Sequence, residues 1–277
     1  MSEALKRDYE IGAEIGRGRF GAVFLCYSAQ SGETFAVKTI DRTRLTDPTD
    51  RQLVEQEAKI TLLAAVGNPH VVQIYGVYED DSVIHLVLDL LPGPDLFDRI
   101  TGREGPIPEP EAAALMAQLM EAINACHRRG IAHRDVKPDN VMFDSRGRIR
   151  LVDFGSAECF GEERAMSGVV GTPHYVAPEV LAGREYSEKV DVWSAGVILY
   201  LMLGGILPFY GETAVEIFEA VLRGNLRFPS RIFSSVSLAA KDLIRRMICR
   251  DPSRRFSADQ VLRHRWIVGG GEGANLA

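Results

Sequence analysis

A glycine-rich string near the start of the chain is suited to binding a polyphosphate. It fits G-x-G-x-x-G and consists of Gly16, Arg17, Gly18, Arg19, Phe20 and Gly21. The same pattern opens dinucleotide-binding folds, but those need a helix directly after the last glycine, whereas Ala22 and Val23 continue here as a strand. We interpret the string as a hairpin turn whose backbone amides can approach phosphate closely. Taken alone, a purely structural turn explains it equally well.

A lysine inside an apolar strand is the second candidate for contact with phosphate. Lys38 follows Ala36 and Val37 in a run with strand-like alternation. A buried lysine needs an opposite charge, and Glu57, inside the next predicted helix, is a reasonable partner that would hold the ammonium group toward phosphate oxygens. Considered alone, Lys38 is better interpreted as an ordinary surface lysine. The prediction that it contacts phosphate therefore depends on the motifs further along the chain.

Three more strings follow the lysine. Residues 133–140 read His-Arg-Asp-Val-Lys-Pro-Asp-Asn, residues 153–155 read Asp-Phe-Gly, and residues 177–179 read Ala-Pro-Glu. In this order, and behind the glycine string and Lys38, they make up the signature set of protein kinases. Over residues 9–266, nearly its whole length, the chain resembles the eukaryotic protein kinase family.

The resemblance implies a role for each residue of these strings. Phosphoryl transfer has a loose transition state, so its catalysis depends on positioning and on neutralising charge. Asp135 would accept the proton of the substrate hydroxyl, and Lys137 would neutralise the moving γ-phosphoryl group. Asn140 and Asp153 would supply the oxygen ligands that Mg²⁺ prefers, so the implied cofactors are ATP and Mg²⁺. The expected catalytic residues are Asp135, Lys137, Lys38 and Glu57.

The contacts to ATP follow from the same resemblance. Leu88 matches the gatekeeper position behind the adenine, while Asp89 and Leu91 would present backbone groups to the adenine edge. Asp95 would reach the ribose or a basic residue of the substrate. The remaining expected ATP contacts are the glycine string and its neighbours: Ile15, Gly16, Arg17, Gly18, Arg19, Phe20, Gly21, Ala22, Val23, Ala36 and Lys38.

Two features indicate the class of acceptor. Lys137 and the Gly-Thr-Pro string that contains Thr172 are typical of serine/threonine kinases rather than tyrosine kinases, and they imply a Ser or Thr acceptor close to Thr172. Asp95 and Asp139 match positions at which related kinases bind a basic residue. We therefore expect a preference for Lys or Arg about three positions before the acceptor.

The activation segment departs from the usual pattern. In related kinases the residue equivalent to Arg134 meets a phosphate on this segment, at a position three residues before Gly171. That position is Gly168, which is neither phosphorylatable nor acidic, although Ser167 is adjacent and Glu162 and Glu163 are near. We hypothesise that activity does not require phosphorylation of the segment.

Strings in the second half of the chain point to a narrower group. Residues 169–180, 211–214, 223–229 and 247–257 resemble the plant calcium-dependent kinase group. Within it, Arg-Asp-Tyr-Glu-Ile at the start and Asp-Phe-Gly-Ser-Ala at 153–157 resemble the phosphoenolpyruvate carboxylase kinase family. That likeness implies phosphorylation of a serine near the N-terminus of phosphoenolpyruvate carboxylase. The sequence has no D-x-[DN]-x-[DN]-G calcium loop, so we expect calcium-independent activity. Two alternatives stay open: a calcium-dependent-type kinase acting on other basic-motif proteins, and a pseudokinase that only binds partners.

The elements that must position these residues form two unlike lobes. The first alternates apolar and polar residues between turn signals, and the second is dominated by helical spacing, as in the near-continuous apolar run at 190–203. The predicted fold class is α+β, a bilobal protein kinase fold with a five-stranded antiparallel N-lobe sheet plus one helix and a mainly α-helical C-lobe. The expected segments are an extension at 1–8, a kinase domain at 9–267 divided into lobes 9–91 and 92–267, and a flexible tail at 268–277.

Composition excludes several other classes of protein. There are 32 Lys and Arg against 38 Asp and Glu, a net charge of −6, which argues against a dedicated nucleic-acid binder. The four cysteines form no C-x-x-C pair, which favours a reducing compartment over a disulfide scaffold. The N-terminal residues have no apolar signal-peptide core. We expect a cytoplasmic monomer whose partner is a protein substrate and which binds no membrane, nucleic acid or calcium.

Overall fold

A computed structural model describes residues 2–18, 21–45, 48–161 and 165–271 of the chain. Within these residues the helices and strands are, in chain order, α1 (Glu3–Asp8), β1 (Tyr9–Gly18), β2 (Gly21–Ser28), β3 (Thr34–Asp41), α2 (Pro48–Ala65), β4 (Ile74–Glu79), β5 (Val83–Asp89), α3 (Leu96–Thr101), α4 (Glu109–His127), β6 (Ile131–Ala132), β7 (Val141–Phe143), β8 (Ile149–Leu151), β9 (Glu158–Cys159), α5 (Pro178–Leu181), α6 (Lys189–Gly204), α7 (Ala214–Arg223), α8 (Ser230–Phe233), α9 (Leu238–Met247), α10 (Ala258–Leu262) and α11 (Arg265–Val268). Helices thus dominate the second lobe, and the predicted fold class is confirmed.

The first lobe is built on a five-stranded sheet with the order β1-β2-β3-β5-β4. All four pairings in it are antiparallel. The register places Lys38 opposite both Val23 and Leu86, in the middle of the sheet. At Gly21 an added Cβ would lie 1.7 Å from the carbonyl oxygen of Thr39, so only glycine lets β2 pass this close to β3. The chain therefore continues from the glycine string as a strand, as predicted.

A short helix that the sequence analysis did not predict covers one face of this sheet. Ser2 caps α1, with its Oγ accepting from the backbone N–H of Leu5. Leu5 is fully buried and packs with Cys26, Val37 and Val87. The N–H of Ser2 donates to Nε2 of the buried His85 at 3.1 Å. The described part of the expected extension, residues 2–8, is thus attached to the lobe that follows it.

The second lobe packs around α6. All but two of the residues of this helix are buried, which matches the apolar composition of its sequence on all sides. Its backbone lies close to its neighbours, since a Cβ on Gly196 would meet the Cβ of Met247 at 2.8 Å. The methionines of α4, Met116 and Met120, are core residues. This core is the platform on which the loops between β6 and α5 lie.

The remaining structural expectations have different outcomes. No helix in the described ranges is long and apolar enough to cross a membrane. Of the expected tail at 268–277, residues 272–277 lie outside the described residues. Arg19 and Phe20 of the glycine string, and Glu162 and Glu163 of the activation segment, also lie outside them.

Candidate active site

Three charged side chains from distant parts of the sequence meet between the lobes. Lys38 Nζ on β3 donates to Glu57 Oε1 on α2 at 2.6 Å and to Asp153 Oδ1 at 2.7 Å. Glu57 is buried and Lys38 is mostly buried. Burial lowers the pKa of Lys38, but the two carboxylates raise it well above its usual value, so the ammonium group keeps its charge. The predicted pairing of Lys38 with Glu57 is present, and Asp153 joins it.

The backbone around Asp153 is shaped to present its carboxylate. Asp153 has a φ of 60°, in the left-handed region that Asp tolerates better than most residues. The next residue, Phe154, is buried and contacts the His133 ring edge-on, with 4.7 Å between the ring centroids. Burial on its own raises the pKa of Asp153, and the Lys38 ammonium holds it below its usual value. Asp153 is therefore an anion with one carboxylate oxygen bound to Lys38.

A second group of contacts surrounds Asp135. Lys137 Nζ lies 2.9 Å from Asp135 Oδ2, and the hydroxyl of Thr172 donates to Asp135 Oδ1 at 2.8 Å. Lys137 Nζ also donates to Thr172 Oγ1 at 3.1 Å. Asn140 Nδ2 donates to the Asp135 carbonyl oxygen at 2.8 Å. The loop thus fixes a carboxylate, a cation and an amide together.

A buried carboxylate on α6 holds this loop from below. Asp191 accepts from the backbone N–H groups of His133 and Arg134 at 2.9 and 2.8 Å, and from His127 Nε2 at 2.8 Å. Burial on its own raises the pKa of Asp191, but the hydrogen bond and charge of His127 lower it below its usual value. The ionised carboxylate can therefore hold Arg134 at its φ of 66°.

Asn140 and Asp153 fit a magnesium ion by the chemistry of their free oxygens. The amide group of Asn140 binds protein through its nitrogen, and Asp153 contacts Lys38 through Oδ1. Among the described residues no hydrogen-bond donor contacts Asn140 Oδ1 or Asp153 Oδ2. An amide and a carboxylate oxygen are hard ligands of the kind Mg²⁺ takes together with phosphate oxygens. When bound, the ion would neutralise charge on the phosphates.

The expected nucleotide contacts line the sheet and the segment after β5. Ala36 is buried and pairs with Leu88, which is partly buried. Ile15 is half exposed at the edge of the sheet, and Val23 opposes Gly16. Leu91 follows β5 and is partly buried. These positions are compatible with an apolar slot for a flat ring.

Three of the polar residues expected at the nucleotide have partners within the protein. Asp89 accepts from the Gln73 backbone N–H at 3.0 Å and from the Tyr75 hydroxyl at 2.8 Å. Asp95 caps α3, with Oδ1 accepting from the backbone N–H of Asp98 at 2.8 Å. Arg17 pairs with Glu14 at 2.7 Å on the exposed surface of β1. The Asp89 side chain thus connects the end of β5 to β4 and to the residue before it.

Comparison with known proteins agrees with this geometry. A family model described as the protein kinase domain matches residues 9–267. The chain belongs to the protein kinase family. The contacts of Lys38, Glu57, Asp135 and Asp153 are therefore those of a kinase, and the expected family and enzyme class are confirmed.

Plant kinases are among its relatives. The kinase is 41% identical over 276 residues to calcium-dependent protein kinase 33 of Arabidopsis thaliana, covering 99% of this chain and 52% of that protein. It is 44% identical over 261 residues to the serine/threonine-protein kinase PEPKR2 of the same plant, covering 94% and 53% respectively. The chain spans about half the length of these curated relatives. They support a serine/threonine kinase domain similar to the plant calcium-dependent group.

Glu158, which the sequence analysis did not single out, lies beside the active site of this kinase and contacts Arg134. Arg134 Nη1 makes a short ion pair with Glu158 on β9, and the Arg134 side chain is almost fully buried. Arg134 Nε donates to the Ser156 carbonyl oxygen at 2.7 Å. Arg134 is thus neutralised by a carboxylate of the protein. The signal in the sequence was an acidic residue shortly after the Asp-Phe-Gly string, and only the pairing of β6 with β9 shows that it reaches Arg134.

Tyr186 extends this contact into the activation segment. Arg134 Nη1 donates to the Tyr186 hydroxyl at 3.1 Å, and that hydroxyl lies 3.1 Å from the carbonyl oxygens of Ser167 and Gly168. The backbones of Met166 and Tyr186 form an antiparallel bridge. The segment is therefore attached at the position where the sequence analysis found no phosphorylatable residue.

A buried ion pair joins the end of the segment to the lower part of the kinase. Arg255 Nη1 donates to Glu179 Oε1 at 2.5 Å, and Arg255 Nη2 donates to Glu179 Oε2 at 2.8 Å. Both side chains are buried. The two parallel hydrogen bonds make a geometrically specific connection between α5 and the loop before α10.

Proposed function

We propose that this kinase transfers the γ-phosphoryl group of ATP, with Mg²⁺, to a serine or threonine hydroxyl of a protein. The observation that carries the proposal is the joint geometry of the two groups around Lys38 and Asp135. Lys38 is held by Glu57 and Asp153, and Asp135 is held by Lys137 and Thr172. The charged side chains of both groups are thus paired and positioned before the substrates arrive.

In the proposed reaction the substrate hydroxyl attacks the γ-phosphorus. Its O–H bond breaks as the new P–O bond forms, and Asp135 accepts the proton. The bond from the γ-phosphorus to the bridging oxygen breaks, and ADP leaves with the electron pair. Lys137 neutralises the transferring group, and Lys38 orients the phosphates that remain behind. Thr172 holds the Asp135 carboxylate in place from the substrate side.

A direct assay tests this activity against the pseudokinase alternative. The full chain is incubated with labelled ATP, Mg²⁺ and a serine peptide that carries arginine upstream of the serine. Labelled phosphoserine should form with the wild type and about 10²- to 10⁴-fold more slowly with Asp135→Asn. Binding of ATP without phosphate transfer by the folded wild type would establish the pseudokinase reading.

For the protein substrate we propose the N-terminal regulatory serine of phosphoenolpyruvate carboxylase, phosphorylated without calcium. The support is the resemblance of residues 7–11 and 153–157 to kinases of that enzyme. The second candidate is a calcium-dependent-type kinase for other basic-motif proteins. It is favoured by the relatives of the chain that are calcium-dependent protein kinases.

One experiment separates these two candidates. Purified carboxylase, its Ser→Ala variant and a generic basic peptide are compared as substrates, each with calcium and with a calcium chelator. The proposal requires phosphate on the regulatory serine at equal rates in both conditions. Dependence on calcium, or a carboxylase that is a poorer substrate than the generic peptide, would favour the second candidate.

We further propose that activity does not need a phosphate on the activation segment. Arg134 is the residue that such a phosphate would neutralise, and Glu158 already supplies a carboxylate to it. Tyr186 ties the same arginine to the segment backbone at Ser167 and Gly168. The position of the segment thus has a source of stabilisation that is present as soon as the chain folds.

A further inference from the structure

The region around α9, α10 and α11 carries a local excess of positive charge in an acidic chain. Residues 241–265 contain eight lysines and arginines against three aspartates, whereas the whole chain has 32 basic and 38 acidic residues. Of these eight, Arg255 is buried and neutralised by Glu179. The other seven are at least partly exposed. The excess charge therefore faces solvent.

Part of this charge surrounds a cavity of about 740 Å³ that opens to solvent. We call it the arginine cavity, and its lining residues are Asp242, Arg246, Phe256, Gln260, Arg263, His264 and Arg265. Three cationic side chains thus face one carboxylate. In the described structure no hydrogen bond or ion pair links these lining residues to the catalytic group around Asp135 and Lys38.

The single carboxylate of the arginine cavity is already occupied. Arg246 Nε donates to Asp242 Oδ2 at 3.0 Å, and His264 Nε2 lies 3.1 Å from the same oxygen. His264 Nδ1 accepts from the Trp266 backbone N–H, so Nε2 carries the proton and donates to Asp242. Asp242 is therefore committed to internal contacts and does not cancel the remaining charge.

The arginines keep donors available to a ligand. Arg246 stacks on Phe256 with its guanidinium carbon 5.0 Å from the ring centroid, which fixes its plane at the wall of the cavity. Arg263 pairs with Asp259, which does not line the cavity, and most of the Arg263 side chain is exposed. For Arg265 the described residues include no carboxylate partner within ion-pair distance. A pre-oriented and an unpaired guanidinium thus face the same opening.

We propose that the arginine cavity binds an acidic segment, a short run of Asp or Glu, of the kinase's protein substrate. Guanidinium groups bind carboxylates through two parallel hydrogen bonds, and a run of carboxylates matches several arginines placed around one opening. Phe256 and Gln260 provide an apolar surface and an amide for the peptide between the charges. The site shares no residue with the active site, so a substrate long enough to reach both can occupy them at once, which would raise the effective concentration of the acceptor.

The proposal rests on the proposed protein kinase activity. The test distinguishes a failure of the acidic-segment site from a failure of that activity. A basic acceptor peptide is compared with the same peptide joined through glycine-serine linkers of graded length to a run of glutamates, and with a matched glutamine version. For the wild type the glutamate extension should lower KM about fivefold at one or more linker lengths, with kcat unchanged, and salt should remove the gain. Failure to phosphorylate the unextended peptide would instead count against the kinase activity itself.

Charge-reversed variants locate the effect. Arg265→Glu should abolish the gain from the glutamate extension, and Arg263→Glu should reduce it. Arg231→Glu makes the same charge change on an exposed arginine of α8 outside the cavity and should retain the gain. Circular dichroism of each variant establishes that it is folded.

A direct binding measurement tests the arginine cavity even if no linker is long enough to reach both the cavity and the active site. Fluorescence anisotropy of a labelled glutamate-rich peptide should show saturable binding to the full chain that Arg265→Glu weakens and Arg231→Glu does not. Absence of binding together with an unchanged KM, equal losses in both variants, or binding of inorganic polyphosphate but not of the glutamate peptide would each overturn the proposal.

Discussion

Asp135 is the residue on which the proposed chemistry depends most directly. Its carboxylate accepts hydrogen bonds from Thr172 and Lys137, and an asparagine in its place could keep the contact to Thr172 but could not accept a proton. We expect Asp135→Asn to lower kcat by about 10²- to 10⁴-fold with little change in KM for ATP. Steady-state kinetics with a serine peptide measure both.

Ala114→Ser, a change on α4 away from the site, serves as a control for handling and folding. A folded Asp135→Asn protein that turns over at the wild-type rate would contradict the role of Asp135. An equal loss of ATP affinity would instead indicate that the residue acts mainly in binding the nucleotide.

The acidic pair Asp95 and Asp139 makes a prediction about substrate choice. Burial raises the pKa of Asp95, and the negative charges of Asp98 and Asp139 raise it further. A basic side chain bound between these carboxylates would relieve their repulsion. We expect Asp139→Asn to reduce the preference for arginine over alanine three residues before the acceptor by about five- to tenfold.

The ratio of kcat/KM for two peptides that differ only at that position is the measurement. Asp81→Asn is the matched control, since Asp81 is exposed between β4 and β5 and is not among the charges that raise the pKa of Asp95. An unchanged ratio in Asp139→Asn would show that the residue does not bind the basic side chain.

What could be predicted at this scale depends on how close partners lie in the sequence. Asp135, Lys137 and Asn140 share one string, so their proximity follows from the string itself. The pairing of Lys38 with Glu57 could be predicted only from the known order of the kinase motifs. The pairing of Arg134 with Glu158 was not predictable, because it depends on the short pairing of β6 with β9. Two-residue strands carry no periodicity that a sequence could reveal.

At the scale of elements, β9 and the activation segment depend on the Glu158 contact. Without the carboxylate, the buried guanidinium of Arg134 would be left uncompensated, which is costly. We expect Glu158→Gln to lower kcat/KM about tenfold, equivalent to about 1.4 kcal/mol of transition-state stabilisation. Glu158→Asp should restore part of the loss because it restores the charge.

Treatment with a phosphatase distinguishes stabilisation of the activation segment by Glu158 from activation by a phosphate on that segment. The wild type should keep its activity after complete dephosphorylation, and Ser167→Ala, at an exposed position of the segment, should match it. A phosphatase-sensitive wild type would mean that Glu158 does not replace a phosphate.

The attachment of α1 to the sheet should depend on pH. His85 Nε2 accepts the Ser2 N–H, which requires the neutral imidazole, and burial lowers the pKa of His85 to about 4. An unfolded histidine has a pKa near 6.5. Between these values the unfolded state binds more protons, so the stability present above about pH 6.5 is lost as the pH falls toward 4. The loss from this residue should be about 2–3 kcal/mol.

Urea unfolding of the wild type and of His85→Gln at a series of pH values measures this contribution. The difference in unfolding free energy between the two proteins should change across the window and be constant above it. A difference that is independent of pH would show that His85 is not the titrating group.

The elements themselves were predictable to different degrees. Strand β4 has a burial pattern of period two and helix α6 is buried almost throughout, and both patterns follow from their sequences. Helix α1 has six residues and a single buried side chain, Leu5, so its sequence has no visible apolar face. Its position comes from contacts with Cys26, Val37 and Val87, all far along the chain. Such an element is determined by packing rather than by its own pattern.

For the molecule as a whole, the ion pair of Lys38 with Asp153 makes the two lobes share one site. Lys38 belongs to the sheet of the first lobe, and Asp153 follows β8 in the second. A ligand bound by both residues stabilises both lobes, because neither can unfold without losing contacts to it. Nucleotide should therefore raise the unfolding temperature of the kinase in a single transition.

The rise in the unfolding temperature depends on how far the nucleotide concentration exceeds Kd. At a concentration of MgATP about 100-fold above Kd, binding contributes about 2.7 kcal/mol, which should raise Tm by roughly 5 °C for a chain of this size. Asp135→Asn should keep the whole shift, since Asp135 acts on the substrate hydroxyl, whereas Asp153→Asn should lose the part that requires Mg²⁺. Scanning calorimetry with ATP, with and without Mg²⁺, gives both quantities. Two separate transitions of which only one moves, or a shift in Asp153→Asn equal to that of the wild type, would contradict the shared site.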